Sequence, residues 1–198
     1  MTDPRAWVGP TCTALADLLA AAPAPTWDRP SLCDRWAVRH VVAHVTMPVR
    51  LTPERFGAEM AAAHGDFTVM SDAVAARDAS LPVADLLAQL RSPALHAWQP
   101  PGGGAAGALS HAVIHSLDVA IPLDRAEVVP DEAVVTVLDQ LAAAGGTTFG
   151  VDLTGVRIEA DDGDRGWGTG TTLRAGSRSL VALLSGRRLP DGRSLPVV

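Results

Sequence analysis

Four valines set the tightest constraint on this chain. Val38, Val41, Val42 and Val45 recur at i, i+3, i+4 and i+7, which gathers them on one face of an α-helix and would scatter them over both faces of a strand. Valine is a mediocre helix former, so a helix here has to be held by burying that stripe against other elements. The same spacing recurs elsewhere. Ala14, Leu15, Leu18 and Leu19 make a first helix that Pro23 and Pro25 end, and a Pro- and Trp-bearing connector follows over residues 26–34. Pro48 and Pro53 interrupt the valine helix, and helical patterns resume over residues 55–64, 69–77 and 83–95. Residues 99–107 (QPPGGGAAG) read as a loop, since two prolines and three glycines oppose any regular element. Residues 109–121 are helical again, closed by Pro122. A further helix starts at Pro130, Asp131 and Glu132, buries Val134, Val135, Leu138 and Leu141, and stops at Gly145 and Gly146.

The pattern changes after Gly150. Residues 156–160 alternate as a strand, residues 161–164 form a turn, residues 167–174 read as a second strand, and residues 178–185 as a short helix with Leu180, Val181, Leu183 and Leu184 on its apolar face. The expected fold class is therefore mainly α: a helical bundle with a small C-terminal strand–strand–helix extension. The division falls as a bundle over residues 1–148 and a small α/β extension over residues 149–198. The extension is too short to form a core of its own, so it is expected to pack on the bundle.

Composition narrows the partners. The 16 basic residues are all arginine and stand against 22 acidic ones, for a net charge of −6, which disfavours nucleic acid and anionic membrane surfaces. Hydrophobic residues make up 47% of 198, enough for a core, yet no apolar run approaches the ~18 residues of a membrane span. Two cysteines, Cys12 and Cys33, are too few for a disulfide framework and suit a reducing cytoplasm; no signal-peptide pattern is visible at the N-terminus. Both cysteines read as small buried apolar residues.

Histidine spacing carries the chemistry. His40 and His44 lie four apart on the valine helix, and His111 and His115 lie four apart on a later one. Each pair shares a helix face, and two facing helices of a bundle can aim several ring nitrogens at one cation. Imidazole suits zinc and its first-row neighbours. The chain has no His-Glu-x-x-His run, no Cys-x-x-Cys, no G-x-S-x-G elbow and no phosphate-binding G-x-x-x-x-G-K loop. Gly102, Gly103 and Gly104 lack the preceding strand of a dinucleotide loop. Trp27 and Trp36 flank the entry to the valine helix and are candidates to wall a pocket; Arg39 and Arg50 are candidates to hold a carboxylate.

The segment Cys33-Asp34-Arg35-Trp36-Ala37-Val38-Arg39-His40-Val41-Val42-Ala43-His44 resembles the C-x-x-W-[TS]-V-x-x-V-V-A-H stretch of the mycothiol-dependent maleylpyruvate isomerase family, within the DinB-like metal-binding four-helix bundles. Residues 111–119 resemble that family's second motif, and residues 156–161, 167–170 and 180–187 resemble its C-terminal region. The resemblance implies a DinB-like four-helix bundle and selects His44, His111 and His115 as metal ligands. It places Asp118 where a carboxylate could orient a ligand nitrogen, and leaves His40 nearby, to touch substrate or a bound water. The implied cofactor is a divalent transition metal, zinc first, with nickel, iron, cobalt and manganese as alternatives. The implied partners are mycothiol or a similar thiol and a small-molecule electrophile, in a cytoplasmic monomer or homodimer. The implied activity is thiol transfer or thiol-assisted isomerisation; a non-catalytic metal or ligand binder and a metal-dependent hydrolase are the alternatives. Two departures stand out. His111 occupies a position where the family tends to have Glu, so three neutral ligands would leave the full charge on the metal. Ala37 replaces the helix-capping Thr or Ser, a role that passes to Asp34 in this reading.

Overall fold

A computed structural model describes residues 3–197. Its helices are α1 (Arg5–Ala21), α2 (Val38–Val45), α3 (Met47–Arg50), α4 (Pro53–Ala62), α5 (Phe67–Asp78), α6 (Val83–Leu90), α7 (Pro93–Ala97), α8 (Gly104–Ala120), α9 (Asp131–Ala143) and α10 (Ser177–Leu184). Three short strands, β1 (Val156–Ala160), β2 (Gly166–Gly168) and β3 (Thr171–Ala175), precede α10. The fold is mainly α, a four-helix bundle of α1, α2, α5 and α8 with a small sheet-and-helix extension. Helix α8 lies against both α1 and α2, and α2 lies against α5.

The valine stripe behaves as its spacing requires: Val38, Val41 and Val42 are wholly buried and Val45 nearly so. Helix α2 starts at Ala37, and Asp34 does not cap it. Instead the His40 ring, at the third helical position, turns back so that Nδ1 accepts the Ala37 backbone N–H at 3.2 Å, satisfying one of the donors a helix start leaves open. At the other end of α2, the freed carbonyl of Ala43 accepts from Arg50 Nη2 at 2.6 Å. Arg50 also donates to Thr46 Oγ1 at 2.7 Å and pairs with Asp78 at 2.9 Å, tying α2 and α3 to the end of α5. Arg39 pairs with Asp28 and donates to the Ala79 carbonyl. Both arginines therefore hold structure together, which corrects the expectation that they serve a substrate carboxylate.

Three elements differ from the sequence expectation. The helix expected over residues 83–95 breaks into α6 and α7, because Pro93 cannot continue α6 and Ser92 starts a new turn by accepting from Ala94 N at 3.2 Å. Helix α8 begins at Gly104, inside the glycine-rich stretch read as a loop. The Pro100 ring packs against its first turn: a Cβ on Gly103 or Gly107 would come within 2.9 Å of Pro100 Cγ. The glycines thus make room for the proline, and packing overrides their poor helix propensity. The expected second strand is two. β2 runs antiparallel to β1, with Trp167 opposite Ile158, and β3 runs parallel to β1 on its other edge, with Leu173 opposite Ile158. The chain crosses the start of β1 at Gly170 (φ 122°), where any Cβ would fall 2.0 Å from the Gly155 carbonyl oxygen.

The extension packs on the bundle. Leu180, Val181, Leu183 and Leu184 of α10 are wholly buried, as is Ile158 of β1, in one continuous core with the bundle helices. Helix α10 lies on α9 and α8, and Arg178 donates to the carbonyls of Ala126 and Val129, both at 2.8 Å. Among the described residues, no helix is long and apolar enough to cross a membrane.

The Asp78 cluster gives a test. Burial pushes its carboxyl pKa up, but hydrogen bonds from Arg77 and Arg50 outweigh burial and hold it below its usual value. A carboxylate depressed in the folded state adds stability above its unfolded pKa and loses it as pH falls through the folded one. Asp78→Asn should therefore lower the unfolding free energy at neutral pH by about 3 kcal/mol. Urea titrations should show the gap to the native chain closing once pH drops below about 4.

Candidate metal centre

Three of the four histidines singled out by spacing converge. His44 sits in the last turn of α2, and His111 and His115 stand one above the other on α8. Their ring centroids lie 5.1 Å (His44–His111), 4.8 Å (His44–His115) and 4.9 Å (His111–His115) apart, a near-equilateral triangle. One ring nitrogen from each lies within 4.8 Å of the others, and the Nε2 atoms of His44 and His111 are 3.2 Å apart. His40, committed to the start of α2, stands outside the triangle.

Two of the three rings are held from behind. His44 Nδ1 is 3.0 Å from Ser71 Oγ of α5. His115 Nδ1 is 2.9 Å from Asp118 Oδ2. An ionised carboxylate only accepts, so His115 Nδ1 carries the hydrogen and Nε2 is left for the centre. Burial, and then the neighbouring positive charge of His115, His111 and Arg187, drives the His44 pKa well below its usual value. Burial followed by His115 takes His111 down to about 3. Both rings are neutral at physiological pH, with lone pairs available.

Behind His115 lies a charged knot. Asp118 is 1% exposed. Its Oδ1 accepts from Arg187 Nε at 2.8 Å and its Oδ2 from Arg187 Nη2 at 3.0 Å. The Cys33 thiol donates to Oδ2 at 3.0 Å and accepts from Arg187 Nη2 at 3.4 Å. Burial disfavours the Asp118 charge, but hydrogen bonds from His115 and Arg187 prevail and hold its pKa well below the usual range. Burial, reinforced by the Asp118 charge, pushes the Cys33 thiol far up. Cys33 is therefore a hydrogen-bonding member of the site and not the apolar filler read from the sequence, whereas Cys12 is buried in the core as expected. Arg187 was invisible to motif reading as a site residue. The Gly186-Arg187 step that ends α10 is the one signal that could have marked it.

The triangle opens on a cavity of about 460 Å³ between α2, α8 and the segment after α7. Trp98 stands 5.4 Å from His111 and Trp36 stands 5.1 Å from His44, ring centre to ring centre. Trp27 is buried in the core instead. A larger hollow of about 570 Å³, lined by α1 and residues such as Arg29 and Arg125, holds none of these histidines.

The donor set suits a borderline first-row cation. Metal–nitrogen bonds of about 2.0–2.1 Å in a tetrahedron put neighbouring nitrogens about 3.3–3.4 Å apart, and the His44–His111 separation of 3.2 Å is close to that. A second cluster, Cys33, His115 and Asp118, suits a cation poorly. Its thiol stays protonated, and the Arg187 guanidinium already occupies both carboxylate oxygens.

The fold and this centre define a helical bundle with a three-histidine cluster at the floor of a cavity. Residues 8–99 match the family described as mycothiol maleylpyruvate isomerase N-terminal domain, the family that its motifs resemble. Two solved structures share the fold. The crystal structure of the mycothiol-dependent maleylpyruvate isomerase is 14% identical, with a TM-score of 0.56 over 98% of this chain and 95% of that one. A histidine-to-alanine mutant of the mycothiol-dependent maleylpyruvate isomerase is 12% identical, with a TM-score of 0.58 over the same shares. No curated protein sequence matches the chain.

Asp118→Asn should strand a buried guanidinium. The expected loss of unfolding free energy is about 3 kcal/mol. Adding Arg187→Met to Asp118→Asn should restore part of it, because the cation that lost its partner is then gone. Urea unfolding of the two single variants and the double variant measures the coupling.

Proposed function

We propose that this protein is a divalent-metal-dependent thiol enzyme that joins a low-molecular-weight thiol of the mycothiol type to an electrophilic small molecule, or isomerises it through such an adduct. The observation that carries the reading is the convergence of His44, His111 and His115 at the base of one cavity. The family match over residues 8–99 supports a thiol of the mycothiol type. Those three residues would hold the metal, zinc in the first instance. A divalent cation there would supply the positive charge that stabilises a thiolate, the nucleophilic form of a thiol, at neutral pH.

The chain's own groups have separable tasks. Ser71 fixes the tilt of His44, and Asp118 fixes His115, which is how outer hydrogen bonds orient ligand rings. Arg187 keeps Asp118 ionised. Trp98 and the neighbouring apolar side chains shield the centre from water. Cys33 does not compete as nucleophile: its thiol proton is committed to Asp118 and the group is held protonated. In this reading the attacking sulfur comes from outside the chain.

Elemental analysis of the purified protein should find about one equivalent of transition metal. His44→Ala should retain almost none, while its circular dichroism stays helical. Turnover of an electrophile such as maleylpyruvate, an epoxide or an activated aryl halide should require both metal and thiol. Turnover without thiol would mean a hydrolase, and bound metal with no turnover of any of these would mean a carrier. Trace metal alike in the native and His44→Ala proteins would end the reading. Asp118→Asn, by releasing His115, should weaken metal binding by about 10–100-fold, measured by competition with a chromophoric chelator.

A further inference from the structure

The cavity wall carries information about which electrophile it takes. Among the described residues, the ionisable side chains on it are His44, His111, His115 and Arg187, with no acidic residue and no other arginine. Arg187 has its charge paired and all but one of its N–H groups engaged. Its Nε and Nη2 lie on Asp118, and its Nη1 donates to the Ser185 carbonyl at 3.2 Å. A second cavity of about 420 Å³ adjoins the first and shares Met47, Pro48, Phe56, Trp98 and Pro101 with it. Its remaining lining is Leu51, Pro53 and Gln99, with no ionisable group at all. The route away from the histidines is therefore mainly apolar, with the Gln99 amide on its wall.

A carboxylate taken into such walls would lose its water and find no unpaired cation, only the neutral side chains of Ser110, Gln140 and Thr148 and one N–H of Arg187. An aromatic or aliphatic body would bury area against Phe56 and Trp98. We infer that the electrophilic substrate of this site is neutral and largely apolar, with its body lodged between Phe56 and Trp98. The inference rests on the thiol-enzyme reading for the word electrophile, but the wall preference is a property of the chain itself. It sets this site apart from one built to clamp a dicarboxylate such as maleylpyruvate.

Fluorescence titration with two dyes of one ring framework tests it. N-phenylnaphthylamine is neutral, and anilinonaphthalene sulfonate carries an anion. The full-length native protein should bind the neutral dye tighter by about tenfold or more, with quenching of tryptophan emission. His44→Ala, which removes a proposed metal ligand, should keep that preference because Phe56 and Trp98 are untouched. Trp98→Ala should weaken the neutral dye by about fivefold or more. Phe56→Arg should move the ratio towards the sulfonate by a similar factor, while Phe56→Leu leaves it near native. Thermal melts check that each variant is folded.

Equal or tighter binding of the sulfonate to the native protein would overturn the inference. So would a dye ratio that neither Trp98→Ala nor Phe56→Arg changes, since the dye would then lie elsewhere. The metal assay fails separately. A preference for the neutral dye in a protein that binds no metal would uphold the apolar walls and discard the thiol chemistry. A metal- and thiol-dependent enzyme that prefers the sulfonate would do the reverse.

Discussion

The ionised carboxylate of Asp118 is the interaction on which the site depends. It is almost wholly buried, and a carboxylate so placed keeps its charge only beside a cation with its oxygens hydrogen-bonded. Arg187 provides that, from 69 residues further along the chain. The carboxylate in turn holds the His115 ring and the Cys33 thiol, while the Asp118 backbone carbonyl accepts from Leu32 N. The connector before α2, the middle of the bundle and the C-terminal extension thus meet at one side chain. The packing of α10 acquires a consequence for chemistry: Leu180, Val181, Leu183 and Leu184 bury the helix, and the helix delivers Arg187 to the back of a histidine.

A parallel arrangement governs His44. The valine stripe fixes the rotation of α2 about its own axis, because four β-branched side chains must face inward together. That rotation carries His44 towards α8, and Ser71 from α5 settles the tilt of the ring. Neither histidine pair converges through local spacing alone. The i, i+4 rule places His111 and His115 on one face, but the third ring arrives through packing between α2 and α8.

That division explains what was legible in the sequence. Helices with a long apolar period could be read, because burial of a stripe is a local pattern with a global cause. So could the three histidines that converge, once the motif resemblance singled them out. What could not be read depended on distant partners. The Pro100 ring on Gly103 and Gly107 turns a loop-like composition into a helix start. The oxygen of Gly155 forces a crossing at Gly170 and splits an apparent strand in two. His40 has the right spacing to join His44 but accepts the Ala37 N–H instead, because Ala37 offers no side-chain cap of its own. Cys33 and Arg187 lie 154 residues apart, and nothing in the pattern of either segment indicates that they share a carboxylate with His115. Trp98, beside the proline-rich stretch, had no helical phase to place it against His111.

The placement of charge ties these features together. The carboxylate of the site's ion pair stands behind His115, off the cavity wall, and Arg187 reaches that wall with its charge already paired. The pair's negative end is absorbed by two hydrogen bonds to ring and thiol, and its positive end by the carboxylate itself. What else faces the cavity is imidazole, kept neutral by burial at His44 and His111, and then a mainly aromatic and aliphatic wall. A glutamate at position 111 would alter that balance, because its carboxylate would lie among Trp98, His44 and His115, where a negative charge has only a bound cation to answer it. With histidine there, the cavity carries no fixed negative charge among its described lining residues, and in the proposed reading a cation held where three nitrogens meet would be its main attraction for an anion. In the proposed reading, a site built this way would separate its two partners by chemistry: an anionic sulfur would be drawn to the polar focus, and the partner it attacks would be left to the mainly apolar walls.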